Sequence, residues 1–166
     1  MDLTKYTIEE LIALKHNIMD IIHNYEDGYT YICKVRSYGR NWVDKSIKNK
    51  HSLQDLCYEY DGDNGIVDAY STNPDLGDIH NYGDLKYIQS VEDYEKWYDY
   101  ELLKDSIPSI EKELDEWDNR DNVPFNKRPY FSPVYTREDL ARYKKKLAEY
   151  DVSFVAPQPY VHQQEE

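Results

Sequence analysis

The sequence predicts an α+β fold: an N-terminal helix, a small antiparallel sheet with a hairpin, and then C-terminal helices. Two patterns predict it. Residues 7–25 combine a capping signal with apolar residues at helical spacing, and residues 29–38 are rich in β-branched and aromatic side chains. A chain of 166 residues is long enough for one domain, which we expect to span residues 1–156. Residues 157–166 are polar and are expected to form a mobile tail.

The N-terminal helix has the clearest signals. Thr7 and Glu10 are spaced as a capping box, in which the threonine hydroxyl accepts a hydrogen bond from the Glu10 amide. The helix is expected to end between Asn24 and Gly28. Apolar residues recur along one side of it and can bury that side against the rest of the fold: Ile8, Leu11, Ile12, Ile18, Met19, Ile22 and Tyr25.

The predicted strands lie in the middle of the chain. The first covers Tyr29–Tyr38, and residues 41–50 are expected to form a loop or a short helix. A hairpin follows, with strands over Leu53–Tyr60 and Ile66–Tyr70 that are joined by a glycine-bearing turn at residues 61–65.

A loop and one more strand complete the predicted sheet. Residues 71–83 contain Asn73-Pro74 and predict the loop, and residues 84–89 predict the short strand. Cys33 and Cys57 both fall on predicted strands, and two cysteines are too few for a disulfide framework. We therefore expect buried, reduced thiols.

Helical patterns return near the C-terminus. Residues 91–118 look helical, but Pro108 removes a backbone donor, so we expect two helices that meet near residues 106–109. Residues 122–133 contain three prolines and predict a surface connector. A last helix, capped by Thr136 and Asp139, should run to about Tyr150 with three residues facing inward: Leu140, Tyr143 and Leu147.

Negative charge is concentrated in the middle of the chain. The formal net charge is −13 at pH 7, and residues 52–85 contain eight acidic residues and no lysine or arginine. Residues 92–121 contain twelve acidic and four basic residues. Such a surface repels nucleic acid and anionic lipid, so neither is an expected partner, and it attracts cationic protein surfaces. A solvated face that serves only solubility is the alternative interpretation.

Tyrosines are interleaved with these carboxylates, and the chain has 18 of them. Exposed tyrosine contributes contact area at low entropic cost, and its ring can stack with arginine. We therefore predict a partner-binding surface made of acidic residues and tyrosines from the middle of the chain: Glu59, Asp61, Asp63, Asp68, Asp75, Asp78, Asp84, Glu92, Asp93, Tyr58, Tyr60, Tyr70, Tyr82, Tyr94 and Tyr98.

The sequence contains no recognisable catalytic or cofactor motif. A phosphate-binding loop, a G-x-S-x-G turn and a dinucleotide fingerprint are absent, so we expect a protein that is not an enzyme and needs no cofactor. The acidic turn at residues 61–65 fails the calcium-loop spacing, and no metal site is expected there. A metal-dependent hydrolase that uses Asp78 and His80 remains an alternative.

In size, charge, tyrosine content and residue usage (14 Lys to 6 Arg, 10 Asn, 12 Ile), the chain resembles the small acidic accessory proteins of tailed phages. These include DNA-mimicking antirestriction and anti-CRISPR proteins and early proteins that act on host RNA polymerase. The resemblance is one of style across the whole chain, without a shared motif, so it assigns a role to no residue.

The predicted function is that of a small non-enzymatic binder, monomeric or dimeric, that blocks or modulates a basic, nucleic-acid-binding protein. A nuclease, a restriction or CRISPR effector, or RNA polymerase would be such a partner. An immunity protein against a nuclease toxin and a virion or assembly protein are alternatives. The longest apolar run is four residues, which is too short for a membrane span, and a cytoplasmic location is expected.

Overall fold

The computed structural model describes residues 3–37, 39–44, 46–60, 65–76, 78–79 and 83–160. Over these residues the chain has four α-helices and a mixed five-stranded sheet, so the predicted α+β class is confirmed. In chain order the elements are α1 Ile8–Asn24, β1 Tyr31–Ser37, β2 Arg40–Asp44, α2 Lys50–Glu59, β3 Ile66–Ser71, β4 Asp84–Tyr87, α3 Val91–Asp118, α4 Arg137–Ala148 and β5 Gln158–Pro159.

The chain divides into two compact units. The first comprises Met1–Val91 and Pro157–Glu166 and holds the sheet, α1 and α2, whereas the second comprises Glu92–Ala156. The prediction of one domain over residues 1–156 stays a prediction. Of the predicted tail, residues 158–159 form β5 and pair with β4, so this part of the tail belongs to the sheet.

The sheet of the first unit has the strand order β2-β1-β3-β4-β5, and α2 covers one of its faces. All neighbouring strands are antiparallel except β3 and β4, which run parallel. Cys33 and Val35 of β1 and Val67 of β3 pack with Leu53 of α2 in the buried core. Gly83 lies so close to β3 that an added Cβ would stand 1.5 Å from the Val67 carbonyl oxygen, which explains why glycine occupies this position.

The predicted hairpin at residues 53–70 is wrong, because its first strand is a helix. Leu53, Leu56 and Cys57 of α2 and its C-cap Tyr60 follow the i, i+3, i+4, i+7 spacing of one helix face. Leu53 and Cys57 belong to the buried core, and Leu56 and Tyr60 pack against it. The hairpin of this sheet is instead β1–β2, so the loop or helix predicted for residues 41–50 is also corrected for residues 41–44.

The two cysteines therefore lie on different element types, Cys33 on β1 and Cys57 on α2. Both are buried and free, as predicted. Burial raises the pKa of the Cys57 thiol to about 12, so this group stays protonated at neutral pH.

One buried side chain joins the ends of two helices. Asn49 is the N-cap of α2, where its side-chain oxygen accepts from the Ser52 amide at 2.9 Å. Its Nδ2 donates to the carbonyl oxygens of Ile22 and Tyr25 at the C-terminal end of α1, at 2.7 and 2.6 Å. The Asn49 amide thus satisfies backbone groups of both α1 and α2.

The helix α1 has the predicted capping box but does not bury its apolar side. The Thr7 hydroxyl accepts from the Glu10 amide, and the Glu10 carboxylate accepts from the Thr7 amide at 2.7 Å. No side chain of α1 is buried. The helix is confirmed, and the burial expected from its apolar pattern is not observed.

The second unit is built from α3 and α4. The long helix α3 continues through Pro108, so the prediction of two helices is wrong. Ile107 and Ile110 flank the exposed proline and are buried with Leu114 against Leu140 of α4, so packing on both sides of the proline holds the helix together.

The fold predictions for residues 122–148 are confirmed. The cap of α4 at Thr136 and its inward residues Leu140, Tyr143 and Leu147 are confirmed, and the connector before α4 lies on the surface. Among the described residues, no helix combines the length and hydropathy required to cross a lipid bilayer.

Candidate protein-binding surface

The predicted surface residues are distributed over both units. Twelve of the fifteen are described: Tyr58, Glu59, Tyr60, Asp68, Tyr70, Asp75, Asp78 and Asp84 in the first unit, and Glu92, Asp93, Tyr94 and Tyr98 in the second. Asp61, Asp63 and Tyr82 lie outside the described residues. The candidates in each unit are therefore treated as separate surfaces.

Three of the predicted residues are buried. Asp68 pairs with Arg36 at 2.5 Å, and the Tyr70 ring lies under Lys34 with 5.8 Å between the ammonium and the ring centroid. Tyr94 stacks on Tyr98 with 5.9 Å between ring centroids. Buried side chains have little area for a partner, so Asp68, Tyr70 and Tyr94 serve the interior of the protein.

The remaining acidic residues of the first unit lie toward two different ends of it. Asp75 and Asp78 follow β3, and both approach the Lys50 ammonium at the N-terminal end of α2, at 3.8 and 2.7 Å. The Lys50 contact lowers the pKa of Asp78. Asp78, one of the two residues that the hydrolase alternative would use, is therefore engaged in an ion pair with Lys50. The other, His80, lies outside the described residues.

Tyr58 and Glu59 form the other end of the first unit, at the C-terminal end of α2. Tyr58 is half exposed, and Glu59 is exposed. Tyr60 is only partly exposed and makes an edge contact with Trp42 at 5.5 Å between ring centroids. Asp84 begins β4 beside β3 and pairs with Lys86 at 2.8 Å. An exposed acidic and an exposed aromatic side chain are thus neighbours at this end of α2, and their role in binding a partner stays a prediction.

In the second unit, α3 carries most of the negative charge and α4 most of the positive charge. α3 has eleven acidic residues and three lysines, and α4 has five basic and two acidic residues. The two helices are antiparallel neighbours joined by ion pairs: Lys144 to Glu111 at 2.6 Å, Lys146 to Asp99 at 3.0 Å, and Arg137 to Asp115 and Asp118 at 2.6 Å each. The cations of α4 thus neutralise one side of α3.

A neighbouring side of α3 keeps its negative charge, and Asp99, one turn after Glu95, lies at the border between the two sides. The residues of this neighbouring side are exposed, follow one another at helical spacing, and are named here the α3 ridge: Glu95, Tyr98, Leu102, Asp105 and Glu113. No described lysine or arginine forms an ion pair with the three carboxylates of the ridge. Lys112 lies beside the ridge and pairs with Glu116 at 3.8 Å.

The ridge combines charge with apolar area. Tyr98 and Leu102 expose 41% and 50% of their surface, and both lie between Glu95 and Asp105 in sequence. Of the ridge residues, the sequence prediction named only Tyr98. The spacing of residues 95, 98, 102 and 105 was present in the sequence, but it identifies an exposed side only once the buried side of α3 is known.

The two other predicted residues of α3 have partners within the second unit. Glu92 pairs with Lys96 at 2.8 Å, and the Asp93 carboxylate accepts a hydrogen bond from the Val155 amide at 3.2 Å. Both residues belong to the first turn of α3, where carboxylates also interact favourably with the helix dipole. Their local structural roles are sufficient to explain why they are acidic.

Exposed apolar residues that the sequence prediction missed lie in the chain segment that connects α3 to α4. Three are aromatic and one is aliphatic, and each is more than four-fifths exposed: Phe125, Tyr130, Phe131 and Val134. Among the described residues, no group of three or more histidine, cysteine, aspartate or glutamate side chains is arranged to hold a metal ion.

Comparison with protein-family models, with curated proteins and with solved structures finds no match to this chain.

Proposed function

We propose that this chain is a non-enzymatic acidic protein that binds a basic, nucleic-acid-binding protein through the α3 ridge and blocks or modulates it. The observation that carries the proposal is the arrangement of the ridge. Two exposed carboxylates without a described cationic partner, Glu95 and Asp105, flank exposed Tyr98 and Leu102. A third, Glu113, continues the same row along α3.

This combination suits a cationic protein surface. The carboxylates attract lysine and arginine over long distances and accelerate encounter, while tyrosine and leucine supply the apolar contact that holds the complex after encounter. An arginine of the partner can also stack on the Tyr98 ring. Both units contribute to the attraction, because the first has 17 acidic and nine basic residues and the second has 16 and 11.

A nucleic-acid-binding partner is favoured because its binding site is basic and extended. Along α3, Glu95 and Asp105 are separated by about 15 Å, and Asp105 and Glu113 by about 12 Å, since a helix rises about 1.5 Å per residue. Carboxylates at such intervals on a rigid rod can occupy positions that phosphates take in the partner's groove, which is a form of DNA mimicry.

The first experiment tests the class of partner. The protein is immobilised, exposed to lysate of its host at low salt, and the captured proteins are eluted with a salt gradient and identified. We expect proteins that bind nucleic acid, released by salt because the attraction is electrostatic, and displaced by added duplex DNA because DNA uses the same basic site. Capture that neither salt nor DNA weakens would contradict the proposal.

The second experiment tests the surface with matched charge. A ridge variant carries Glu95→Lys, Asp105→Lys and Glu113→Lys, and a control variant carries the same change at three exposed acidic residues elsewhere: Glu9→Lys, Asp20→Lys and Glu138→Lys. Each raises the formal net charge from −13 to −7. The ridge variant should lose at least about tenfold in affinity for the identified partner, and the control much less. Equal losses would show that overall charge, and not the ridge, governs binding.

A further inference from the structure

The apolar side of α1 is largely open to solvent, although Leu11, Leu14, Met19 and Ile22 on it are half-buried. Ile8, Ile18, Ile21 and Tyr25 expose 64%, 47%, 70% and 64% of their surface. The α1–α2 contact uses the C-terminal end of α1, where Asn49 and Ser52 meet its last carbonyl groups. Contiguous apolar area on a helix is characteristic of an interaction surface.

The apolar residues of α1 and its C-cap follow a seven-residue repeat with alternating steps of three and four. The series is Ile8, Leu11, Lys15, Ile18, Ile22 and Tyr25, in which only Lys15 is polar. This is the spacing of the contact seam in a two-stranded coiled coil. The positions beside the seam are apolar as well and widen it: Ile12, Leu14, Met19 and Ile21.

We propose that α1 binds α1 of a second copy of this chain in an antiparallel pair around a twofold axis. In such a pair, the first seam position of each repeat lies opposite the second seam position of the other copy. The sequence fits this register throughout: Ile8 lies opposite Tyr25, Leu11 opposite Ile22, and Lys15 opposite Ile18 of the second copy. The proposal is independent of the α3 ridge, since it uses no residue of α3.

Charge favours the antiparallel orientation over the parallel one. A parallel pair would place Lys15 against Lys15 in the seam, whereas the antiparallel pair places Lys15 against an isoleucine, past which its ammonium can extend to water. The first turn of α1 also carries Glu9 and Glu10. A parallel pair brings these carboxylates of both copies to the same end, whereas an antiparallel pair keeps them at opposite ends.

A second copy is also favoured over a lipid surface. Helices that lie on anionic membranes carry lysine and arginine on their polar face. The polar side of α1 instead carries Glu9, Glu10 and Asp20, and its one lysine, Lys15, belongs to the apolar seam. A helix of 17 residues is about 25 Å long, so the interface is small and the dimer should exchange with monomer at micromolar concentrations.

Sedimentation velocity of the full chain over increasing concentration tests the interface. The wild type should become dimeric as its concentration rises to about 200 µM, because we expect a dissociation constant in the micromolar range for this interface. Ile18→Glu should remain monomeric there, whereas Asn17→Glu, the same new charge on the neighbouring exposed residue of the polar side, should dimerise like the wild type. Lys15→Leu should lower the dissociation constant by about tenfold, because a polar seam residue weakens such pairs.

Circular dichroism of each variant checks that α1 remains helical. The proposal would be overturned if the wild type stayed monomeric throughout the concentration range. It would also be overturned if Asn17→Glu weakened the dimer as much as Ile18→Glu does. Flotation with vesicles containing phosphatidylserine supplies the competing outcome. In that outcome the wild type binds these vesicles without forming a dimer, and Ile18→Glu abolishes the binding. This result would assign the apolar side of α1 to a lipid surface and reject the second copy as its partner.

Spin labels test the orientation. Cys33 and Cys57 are buried, so an introduced cysteine is the preferred labelling site. In the antiparallel pair, the two labels of Glu9→Cys are separated by about 22 Å along the helix axis, and those of Asn17→Cys by only about 1.5 Å. The measured distance should therefore be clearly longer for Glu9→Cys. Similar distances at both positions would indicate a parallel pair and overturn the proposed register.

Discussion

The helices α1 and α4 begin in the same way and are used differently. Each starts with a threonine capping box, Thr7 with Glu10 and Thr136 with Asp139, and each has an apolar side. α4 buries Leu140 in a cluster with α3, whereas α1 buries no side chain. Local signals therefore fix where a helix begins, and the availability of a neighbouring element decides whether its apolar side is buried.

The two helices are also attached by different forces. α4 packs apolar residues on Ile107, Ile110 and Leu114 of α3 and adds ion pairs such as Lys144 to Glu111. α1 is attached at one end by polar contacts with α2: hydrogen bonds from Asn49 and Ser52 to its last carbonyl groups, and the pair of His23 with Asp55. Apolar contact distributes stability along a helix, whereas polar contacts at one end concentrate it in a few residues.

The largest expected effect is at the apolar contact. Leu140→Ala should lower the free energy of unfolding of the second unit by about 2–4 kcal/mol, because it leaves a cavity between α3 and α4. The exposed Ile18→Ala on α1 should change the stability by less than about 0.5 kcal/mol in dilute protein. Urea unfolding followed by circular dichroism measures both. Similar losses would mean that the two helices are packed alike.

The next effect is at the polar joint. Asn49→Ala should cost about 2–3 kcal/mol, because it removes the N-cap of α2 and the Nδ2 donor to the Ile22 and Tyr25 carbonyl groups. The Ile22 carbonyl then keeps only the Tyr25 amide, at 3.3 Å. Asn49→Ser keeps an N-cap acceptor and should recover part of the loss. The same urea titrations compare the variants, and an equal loss for both would show that capping of α2 is a minor part of the effect.

How much could be predicted from the sequence depends on whether the signal was local. The boundaries of α1 and α4 follow from caps and spacing within about twenty residues, and both were predicted. The helix α2 was missed because its short apolar run was interpreted with the period of a strand, although Leu53, Leu56 and Cys57 have helical spacing. Pro108 was expected to end a helix, and long-range packing against Leu140 overrides it.

The candidate surface was harder to predict because charge along the chain does not reveal which acidic residues are neutralised in space. Residues 52–85 contain no lysine or arginine, yet Asp68, Asp78 and Asp84 pair with bases from elsewhere: Arg36, Lys50 and Lys86. On α3 the lysines and arginine of α4 neutralise one side and leave the ridge exposed. Only the fold separates these two groups of carboxylates.

A smaller effect compares the two capping boxes. Thr136→Ala should destabilise the second unit by about 1 kcal/mol, because α4 is integrated into its core. Thr7→Ala removes the equivalent bond from α1, whose N-terminal end is exposed, so it should reduce local amide protection with less effect on global unfolding. Hydrogen exchange and urea unfolding together distinguish the two outcomes. A larger global effect of Thr7→Ala would contradict the contrast between the helices.

The smallest expected effect is the pH dependence of the α4 cap. Hydrogen bonds from the Thr136 amide and hydroxyl, at 3.0 and 2.9 Å, and the charge of Arg142 lower the pKa of Asp139. A carboxyl group whose pKa is lower in the folded state stabilises that state above its unfolded pKa of about 3.9, and this contribution is lost as the pH falls. The stability difference between the wild type and Asp139→Asn should therefore shrink from about pH 6 to about pH 3. Urea midpoints at both pH values measure it, and a constant difference would mean that the cap does not depend on the ionised carboxylate.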